Sequence, residues 1–274
     1  MIDLPLNELL TFAFYLAVAG VVAGVLAGLF GIGGGTDLVP VFYQVFGAVH
    51  VPDDVRMQLA LGSSMAIVVS TSLRSFVAHR KRGTPDIALL RNWVIAVPLG
   101  VLVATLVVSL ISSFWLRMVF AVISVIVGLR LLFGKDSWRL GNDLPGNPIR
   151  FAVGSMVGLL STLMGIGGGV LNNTFMTLYN RPMHQAVGTS AGVGVMIAIP
   201  GCIGYVWAGW GKAGLPPFST GFVNWLTLLL IIPLTLLVTP YGVKLAHALS
   251  KKTLEVTFGL YMLIVAGRFF WSLV

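Results

Sequence analysis

The chain has 274 residues, of which 57% are hydrophobic and only 9% are charged, and its formal net charge is +8. A soluble domain carries roughly 25% charged residues, so the composition excludes an ordinary soluble protein and indicates an integral membrane protein. The basic residues lie in short loops between apolar runs, which is typical of membrane topology signals and not of a nucleic-acid-binding surface.

The apolar runs predict an all-α protein with several membrane-spanning helices. Runs long enough to cross about 30 Å of hydrocarbon, at about 20 residues each, cover residues 9–30, 58–79, 88–111, 115–134, 186–208, 222–243 and 253–272. Residues 149–164 form a shorter apolar helix. Residues 36–48 and 170–180 are shorter still, and each directly follows a run of three glycines. Acidic residues and no basic ones precede the first run, so we expect a retained helix there and not a signal peptide.

The glycine runs belong to an internal repeat. Gly31-Ile32-Gly33-Gly34-Gly35 is identical to Gly165-Ile166-Gly167-Gly168-Gly169. Further along, Leu61-Gly62-Ser63-Ser64 matches Val187-Gly188-Thr189-Ser190, Asn92-Trp93 matches Asn224-Trp225, and Arg130 matches Arg268. The series predicts a duplication, with a first membrane repeat at 1–134, a cytoplasmic connecting loop at 135–148 and a second membrane repeat at 149–274.

The distribution of lysine and arginine predicts the orientation of the two halves. Four loops hold eleven of the 17 basic residues, namely Arg80, Lys81, Arg82, Arg91, Lys135, Arg139, Arg150, Arg181, Lys244, Lys251 and Lys252. The intervening loops hold only Arg56, Arg117 and Lys212. Placing the eleven in the cytoplasm requires an odd number of crossings per half and puts both termini outside, so the two repeats are expected to be inverted. The count fits equally whether the short segments cross fully or re-enter.

The glycine breaks predict discontinuous helices around a binding site. Each glycine costs about 1 kcal/mol in a helix relative to alanine, and freed backbone groups are tolerated in a bilayer only inside protein or beside a wet cavity. Each break is followed by a short helix whose N-terminal N–H groups favour an anion. We therefore predict a midplane anion site that includes Gly33, Gly34, Gly35 and Thr36 from the first break and Gly167, Gly168 and Gly169 from the second. The alternative is that these glycines only permit close helix packing.

Other polar residues in the apolar segments are candidates for the same site. Asn172, Asn173 and Thr174 follow the second break, and their amides and hydroxyl are suited either to an anion's oxygens or to neighbouring helices. Ser63, Ser64, Thr189 and Ser190 occupy matching positions and either line the cavity or pack closely. Arg74 either attracts the anion or extends to the membrane surface. Asp37 is a candidate for proton coupling, the alternative being a helix cap.

Several other site types find no support in the sequence. The four histidines are widely spaced and the single Cys202 lies in an apolar run, so no metal site or disulfide is expected. No nucleophile–base pair falls within a membrane segment, which argues against an enzyme. Trp93, Trp115, Trp225 and Trp271 fall near helix ends and predict an interfacial aromatic belt.

The pattern GLFGIGGGTDLVP, with its second glycine-rich break and the later Gly-Ser/Thr-Ser stretch, resembles the TauE/SafE sulfite exporter family. The resemblance covers nearly the whole chain and is most specific at the first break, including Pro40. It implies export of sulfite, a sulfonate or a related organic sulfur anion across the bacterial inner membrane, with no cofactor. The second break departs from the pattern, with Thr174 where the first has Pro40.

These observations together predict an all-α integral membrane protein of two inverted repeats that carries a small anion by alternating access. Its partners would be that anion and the lipid bilayer, without nucleic acid. Two alternatives are an anion channel with the same site and a non-transport membrane assembly factor. The anion, the coupling ion, the direction and the oligomeric state, a homodimer included, are not determined by the sequence.

Overall fold

The computed structural model describes residues 35–134 and 139–273, together with residues 14, 17, 18, 20–22, 24 and 25. Only the backbone is described at residues 35–37, 239, 240, 242, 243, 246, 247 and 251. The eight residues between 14 and 25 are all helical.

The described part of the chain is almost entirely helical, as the apolar runs predict. The helices are α1 (Gly35–Ala48), α2 (Asp53–Lys81), α3 (Ile87–Leu110), α4 (Ser113–Phe133), α5 (Asn147–Leu163), α6 (Gly169–Leu178), α7 (Met183–Ala208), α8 (Trp225–Ala248) and α9 (Lys251–Trp271). A small antiparallel hairpin of β1 (Ser219–Thr220) and β2 (Val223–Asn224) precedes α8.

Five described helical segments are long and apolar enough to cross a membrane: Asp53–Lys81, Ile87–Leu110, Ser113–Phe133, Met183–Ala208 and Lys252–Trp271. Shorter apolar stretches occur at Leu38–Ala48 and Trp225–Val238. Large apolar side chains remain exposed along these helices, for example Ile95, Leu229 and Ile264. Such a surface requires a hydrocarbon environment, so the fold is that of an all-α, multi-pass membrane protein.

Two pairs of long helices pack in antiparallel fashion. In the α2–α7 pair, Gly194 lies against Ser72 and Gly201 lies against Met65. In the α4–α9 pair, Gly128 lies against Gly259, and the ring centroids of Phe120 and Phe269 are 5.0 Å apart. Residue numbers rise along one helix as they fall along its partner, which establishes the opposite directions.

Small residues bring further helices close together. A Cβ on Gly158 of α5 would overlap the carbonyl oxygen of Val97 in α3, and one on Gly154 would lie 2.8 Å from the Trp93 ring. The helical residues Gly20 and Gly24 make similar approaches to α8, where added Cβ atoms would lie 3.0–3.1 Å from the nearest atoms. Close backbone approach at glycine is the usual way in which membrane helices gain packing contacts.

Trp93 does not belong to an interfacial aromatic belt, and that prediction is wrong. Its side chain is fully buried, its Nε1–H donates to the Arg150 carbonyl at 2.8 Å, and its ring lies 5.6 Å from that of Phe175. Trp115, Trp225 and Trp271 are exposed. A position near a helix end does not determine whether a side chain faces lipid or protein. Here Gly154 of α5 has no side chain, which leaves space for the Trp93 ring.

Candidate functional site

The second glycine run lies in a non-helical loop between α5 and α6. The helix α5 ends at Leu163, where the Gly165 N–H donates to the Thr162 carbonyl and the Ile166 N–H donates to the Ser161 carbonyl. Gly165 has φ +65° and Gly168, which precedes the first residue of α6, has φ +73°. Only glycine adopts such left-handed angles without strain. Side chains would also collide here, because a Cβ on Gly168 would lie 2.6 Å from Ile197 Cδ1.

The α5–α6 segment turns back on itself. The Leu140 N–H, which precedes α5, donates to the carbonyl of Leu178 at the end of α6 at 2.8 Å. Arg181 forms an ion pair of 3.2 Å with Asp143. The loop before α5 and the loop after α6 therefore lie at the same end of the molecule. The N-terminus of α6 lies at the far end of this hairpin, against α2 and α7, where Gly167 contacts Val68 and Gly194.

Asn172, Asn173 and Ser190 form a polar chain on α6 and α7. The Asn172 Nδ2 donates to Ser190 Oγ at 2.7 Å, and Ser190 Oγ donates to Asn173 Oδ1 at 2.7 Å. Asn172 is fully buried, whereas Asn173 is half-buried. Within the described part of the chain, Asn172 Oδ1 has no hydrogen-bond partner. Buried polar atoms are nearly always paired, so this atom marks an incomplete polar site.

Ser161 supplies a second buried and unsatisfied polar atom. Its Oγ has no hydrogen-bond partner among the described residues, and its side chain has no exposed surface. It lies 3.5 Å from the position that a Cβ on Gly168 would occupy, directly beside the start of α6. The hydroxyl can rotate to donate toward any acceptor that reaches this point.

The loop is held by two further hydroxyl groups. Ser64 Oγ of α2 donates to the Gly165 carbonyl at 2.8 Å. The Tyr205 hydroxyl of α7, which is fully buried, donates to the Thr162 carbonyl at 2.8 Å. These contacts satisfy carbonyl groups at the end of α5. The N–H groups in the first turn of α6 have no acceptor within their own helix, which leaves a cluster of donors at the positive end of the helix dipole.

The electrostatics of the site come from backbone and neutral side chains. No charged side chain is among the buried residues in the described part of the chain. No group of histidine, cysteine or acidic residues able to hold a metal ion occurs there either. Backbone N–H donors at a helix N-terminus, with the rotatable Ser161 hydroxyl beside them, are suited to an anion and not to a cation.

Ser63 and Thr189, for which the sequence allowed either cavity lining or close packing, each accept a hydrogen bond from the start of another helix. Ser63 Oγ accepts a hydrogen bond of 3.1 Å from the backbone N–H of Asn224. Thr189 Oγ1 accepts one of 2.8 Å from the backbone N–H of Asp86. Asn224 and Asp86 each precede a long helix, α8 and α3 respectively, and their side-chain oxygens cap its third N–H. Each hydroxyl thus anchors a helix start that belongs to the opposite half of the sequence.

Of the remaining predicted residues, Arg74 and Thr174 are described with their side chains, and those of the first break are not. Arg74 lies on α2 with an exposed side chain. Thr174 is half-buried on α6. Gly33 and Gly34 lie outside the described residues, and Gly35, Thr36 and Asp37 form the first turn of α1, of which the backbone alone is described.

Ser161 is the site residue that the sequence interpretation missed. It stands in the stretch Leu160-Ser161-Thr162, at the end of an otherwise apolar segment and a few residues before the glycine run. A polar pair at that position was the available signal, because hydroxyl groups at the end of a short membrane helix tend to face protein and not lipid.

The fold is that of a multi-pass helical membrane protein, and comparison with known proteins places it among membrane transporters. The sequence matches the sulfite exporter TauE/SafE family over residues 16–269, and the chain belongs to that family. A probable membrane transporter protein of Haemophilus influenzae is 29% identical over 262 residues, covering 95% of this chain and 98% of that protein. A probable membrane transporter protein of Methanocaldococcus jannaschii is 27% identical and covers 91% of this chain and 94% of its own length. A probable membrane transporter protein of Bacillus subtilis is 27% identical, and the match covers 91% of this chain and 93% of that protein. No solved structure matches significantly.

Proposed function

We propose that the protein is a secondary transporter for a small oxyanion, sulfite or an organosulfonate, which it binds at the start of α6. The observation that carries the proposal is the buried Ser161 hydroxyl, which has no hydrogen-bond partner among the described residues and lies beside Gly168 at the N-terminus of that helix. An oxyanion accepts several short hydrogen bonds at once, and such donors in a site shielded from water hold it strongly. The family description supports sulfite as the reference substrate, with export as the direction.

In this mechanism the backbone N–H groups of α6 and the Ser161 hydroxyl donate to the anion. The Asn172–Ser190–Asn173 chain fixes the side chains on the neighbouring face, because each hydrogen bond in it is 2.7 Å long. The half-buried Asn173 then presents its amide N–H groups toward the accessible side of the site. No ionised side chain needs to enter the bilayer interior, which would cost several kcal/mol.

The alternating-access part of the proposal rests on a two-fold relation between the halves. The helices α3 and α8 each have 24 residues, and α4 and α9 each have 21. Corresponding helices pack in antiparallel pairs, α2 with α7 and α4 with α9. The exchanged contacts of Ser63 with Asn224 and of Thr189 with Asp86 have the reciprocity that a two-fold axis in the membrane plane would produce. Inverted repeats of this kind support rocking of one half against the other.

The proposal is tested with purified protein in detergent. Thermal unfolding is measured with sulfite, sulfate, thiosulfate, taurine, sulfoacetate, acetate and chloride, since a ligand that binds only the folded state raises the melting temperature. We expect one sulfur oxyanion to stabilise the wild type and Ser161→Ala to weaken its binding by roughly 10- to 100-fold, the value of one hydrogen bond to a charged group.

A matched control is Ser124→Ala, because Ser124 is also a fully buried serine with no hydrogen-bond partner in the described part of the chain, but lies on α4. This variant should bind the anion as the wild type does. Counterflow of the same anion in proteoliposomes then separates a carrier from a channel. Equal binding by both variants, or no stabilisation by any anion in a folded preparation, would contradict the proposed site.

A further inference from the structure

Three arginines gather around the C-terminal half of α1. The guanidinium carbons of Arg56 and Arg117 lie 5.3 Å and 6.0 Å from the centre of the Tyr43 ring. Arg117 Nη1 donates to the Tyr43 hydroxyl at 3.1 Å, and Arg268 Nη2 donates to Gln44 Oε1 at 2.8 Å. We call Arg56, Arg117 and Arg268 the arginine cluster.

The described residues compensate the positive charge of this cluster only in part. Arg56 forms an ion pair of 2.8 Å with Asp53. Arg117 is half-buried and bonds to neutral acceptors, the Ser272 carbonyl at 2.7 Å among them. Within the described part of the chain, neither Arg117 nor Arg268 has a carboxylate within ion-pair distance. Like charges held together at the edge of a low-dielectric region repel each other and are screened less than in bulk water.

The opposite end of the α4–α9 pair shows how the same arrangement is neutralised. There Arg130 of α4 interacts electrostatically with Glu255 of α9. Because the two helices are equally long and antiparallel, Arg268 occupies the position in α9 that Arg130 has in α4. By the same correspondence, Arg117 occupies the position in α4 that Glu255 has in α9. One end of the pair therefore has an arginine and a glutamate, and the other has two arginines.

We propose that the arginine cluster is a second binding site for an oxyanion, distinct from the α6 site and at the opposite end from the α5–α6 loops. Guanidinium groups favour sulfonate, sulfate and phosphate oxygens because they donate paired hydrogen bonds in a planar fork. The site lies on the face that the charge count assigns to the outside, where basic residues are otherwise few. The oxyanion comes either from the transported solute or from the phosphate of a lipid headgroup.

The site is tested by thermal unfolding with inorganic sulfate as the probe, against gluconate at constant ionic strength. We expect sulfate to raise the melting temperature of the wild type and Arg117→Gln to weaken the response about tenfold in sulfate concentration. The control is Lys212→Gln, which removes one exposed charge from the same face outside the cluster and should respond as the wild type does. The Ser161→Ala variant should keep the part of the sulfate response that depends on Arg117. The two proposed sites are therefore tested independently of each other.

A charge reversal makes the test sharper. Arg117→Glu recreates the arginine–glutamate pair of the opposite end, so it should abolish the response to sulfate. Nanodiscs of phosphatidylglycerol and of phosphatidylcholine identify the source of the anion, because an Arg117-dependent stabilisation by phosphatidylglycerol indicates a lipid phosphate. Identical sulfate and lipid responses in the wild type, Arg117→Gln and Arg117→Glu proteins would overturn the proposal.

Discussion

At the residue scale, Gly158 shows how little space separates α3 from α5. A Cβ on Gly158 would overlap the Val97 backbone oxygen, which cannot move without displacing α3. We expect Gly158→Ala to lower the free energy of unfolding by about 1–3 kcal/mol, the usual cost of overpacking. Gly267→Ala is the control, because Gly267 is also helical but has nothing within 4 Å of its added Cβ. Thermal unfolding in detergent should leave that variant unchanged or slightly more stable.

Trp93 offers a second prediction at the residue scale. Trp93→Phe removes the hydrogen bond from Nε1 to the Arg150 carbonyl and leaves a small cavity beside Gly154 and Phe175. The expected loss is about 1–3 kcal/mol, measured as a lower melting temperature. Trp271→Phe should have almost no effect, since that ring is 86% exposed. Equal effects of the two substitutions would mean that Trp93 is not buried as described.

The residue scale is also where the sequence was least informative. The candidates Asn172 and Ser190 prove to be in contact, at 2.7 Å, although 18 positions separate them. Ser161 and the burial of Trp93 were not predicted, because both depend on which face of a helix meets its neighbour. A uniformly apolar membrane helix carries a weak periodic signal for that face.

At the element scale, α3 and α8 are each capped at the N-terminus by a side-chain oxygen, but the two capping residues differ in burial. The side chain of Asp86 caps Leu89 N–H and is half-buried. Asn224 is fully buried, caps Thr227 N–H, and also donates to the Pro217 carbonyl at 2.9 Å. We expect Asp86→Ala to cost about 1 kcal/mol, an ordinary cap. Asn224→Ala should lower the free energy of unfolding by about 2–3 kcal/mol relative to the wild type, because it also leaves buried groups unpaired. Unfolding of the two variants under identical conditions measures the difference.

The caps also correct an element-scale comparison that the sequence suggested. The match of Asn92-Trp93 with Asn224-Trp225 does not hold in the fold, because Trp93 lies in the second turn of α3 whereas Trp225 begins α8. The structural counterpart of Asn224 is Asp86. Sequence identity paired the wrong residues here. Aspartate and asparagine are equivalent as N-caps although they are different residues, so the true correspondence is visible only in the capping geometry.

At the scale of the whole molecule, composition and apolar run length were sufficient to predict an all-α multi-pass membrane protein. The glycine repeat carried the resemblance to the family, which the match over residues 16–269 confirms. The path of the short segments was left undecided, because the count of basic residues is equally satisfied by crossing and by re-entry. The contacts of Leu140 with Leu178 and of Asp143 with Arg181 resolve it for the second half, since both join the loop before α5 to the residues after α6.

This path makes a prediction about sidedness that cysteine labelling can check. In a Cys202→Ser background, single cysteines are placed at Gly146, Met183 and Lys212, which are all exposed. Because the α5–α6 segment turns back, the cysteines at 146 and 183 should react with an impermeant maleimide from the same side, in inverted vesicles but not in intact spheroplasts. The cysteine at 212, beyond the long helix α7, should react only in spheroplasts. Labelling of positions 146 and 183 from opposite sides would mean that the segment crosses the membrane, and the start of α6 would then no longer lie at the tip of a hairpin.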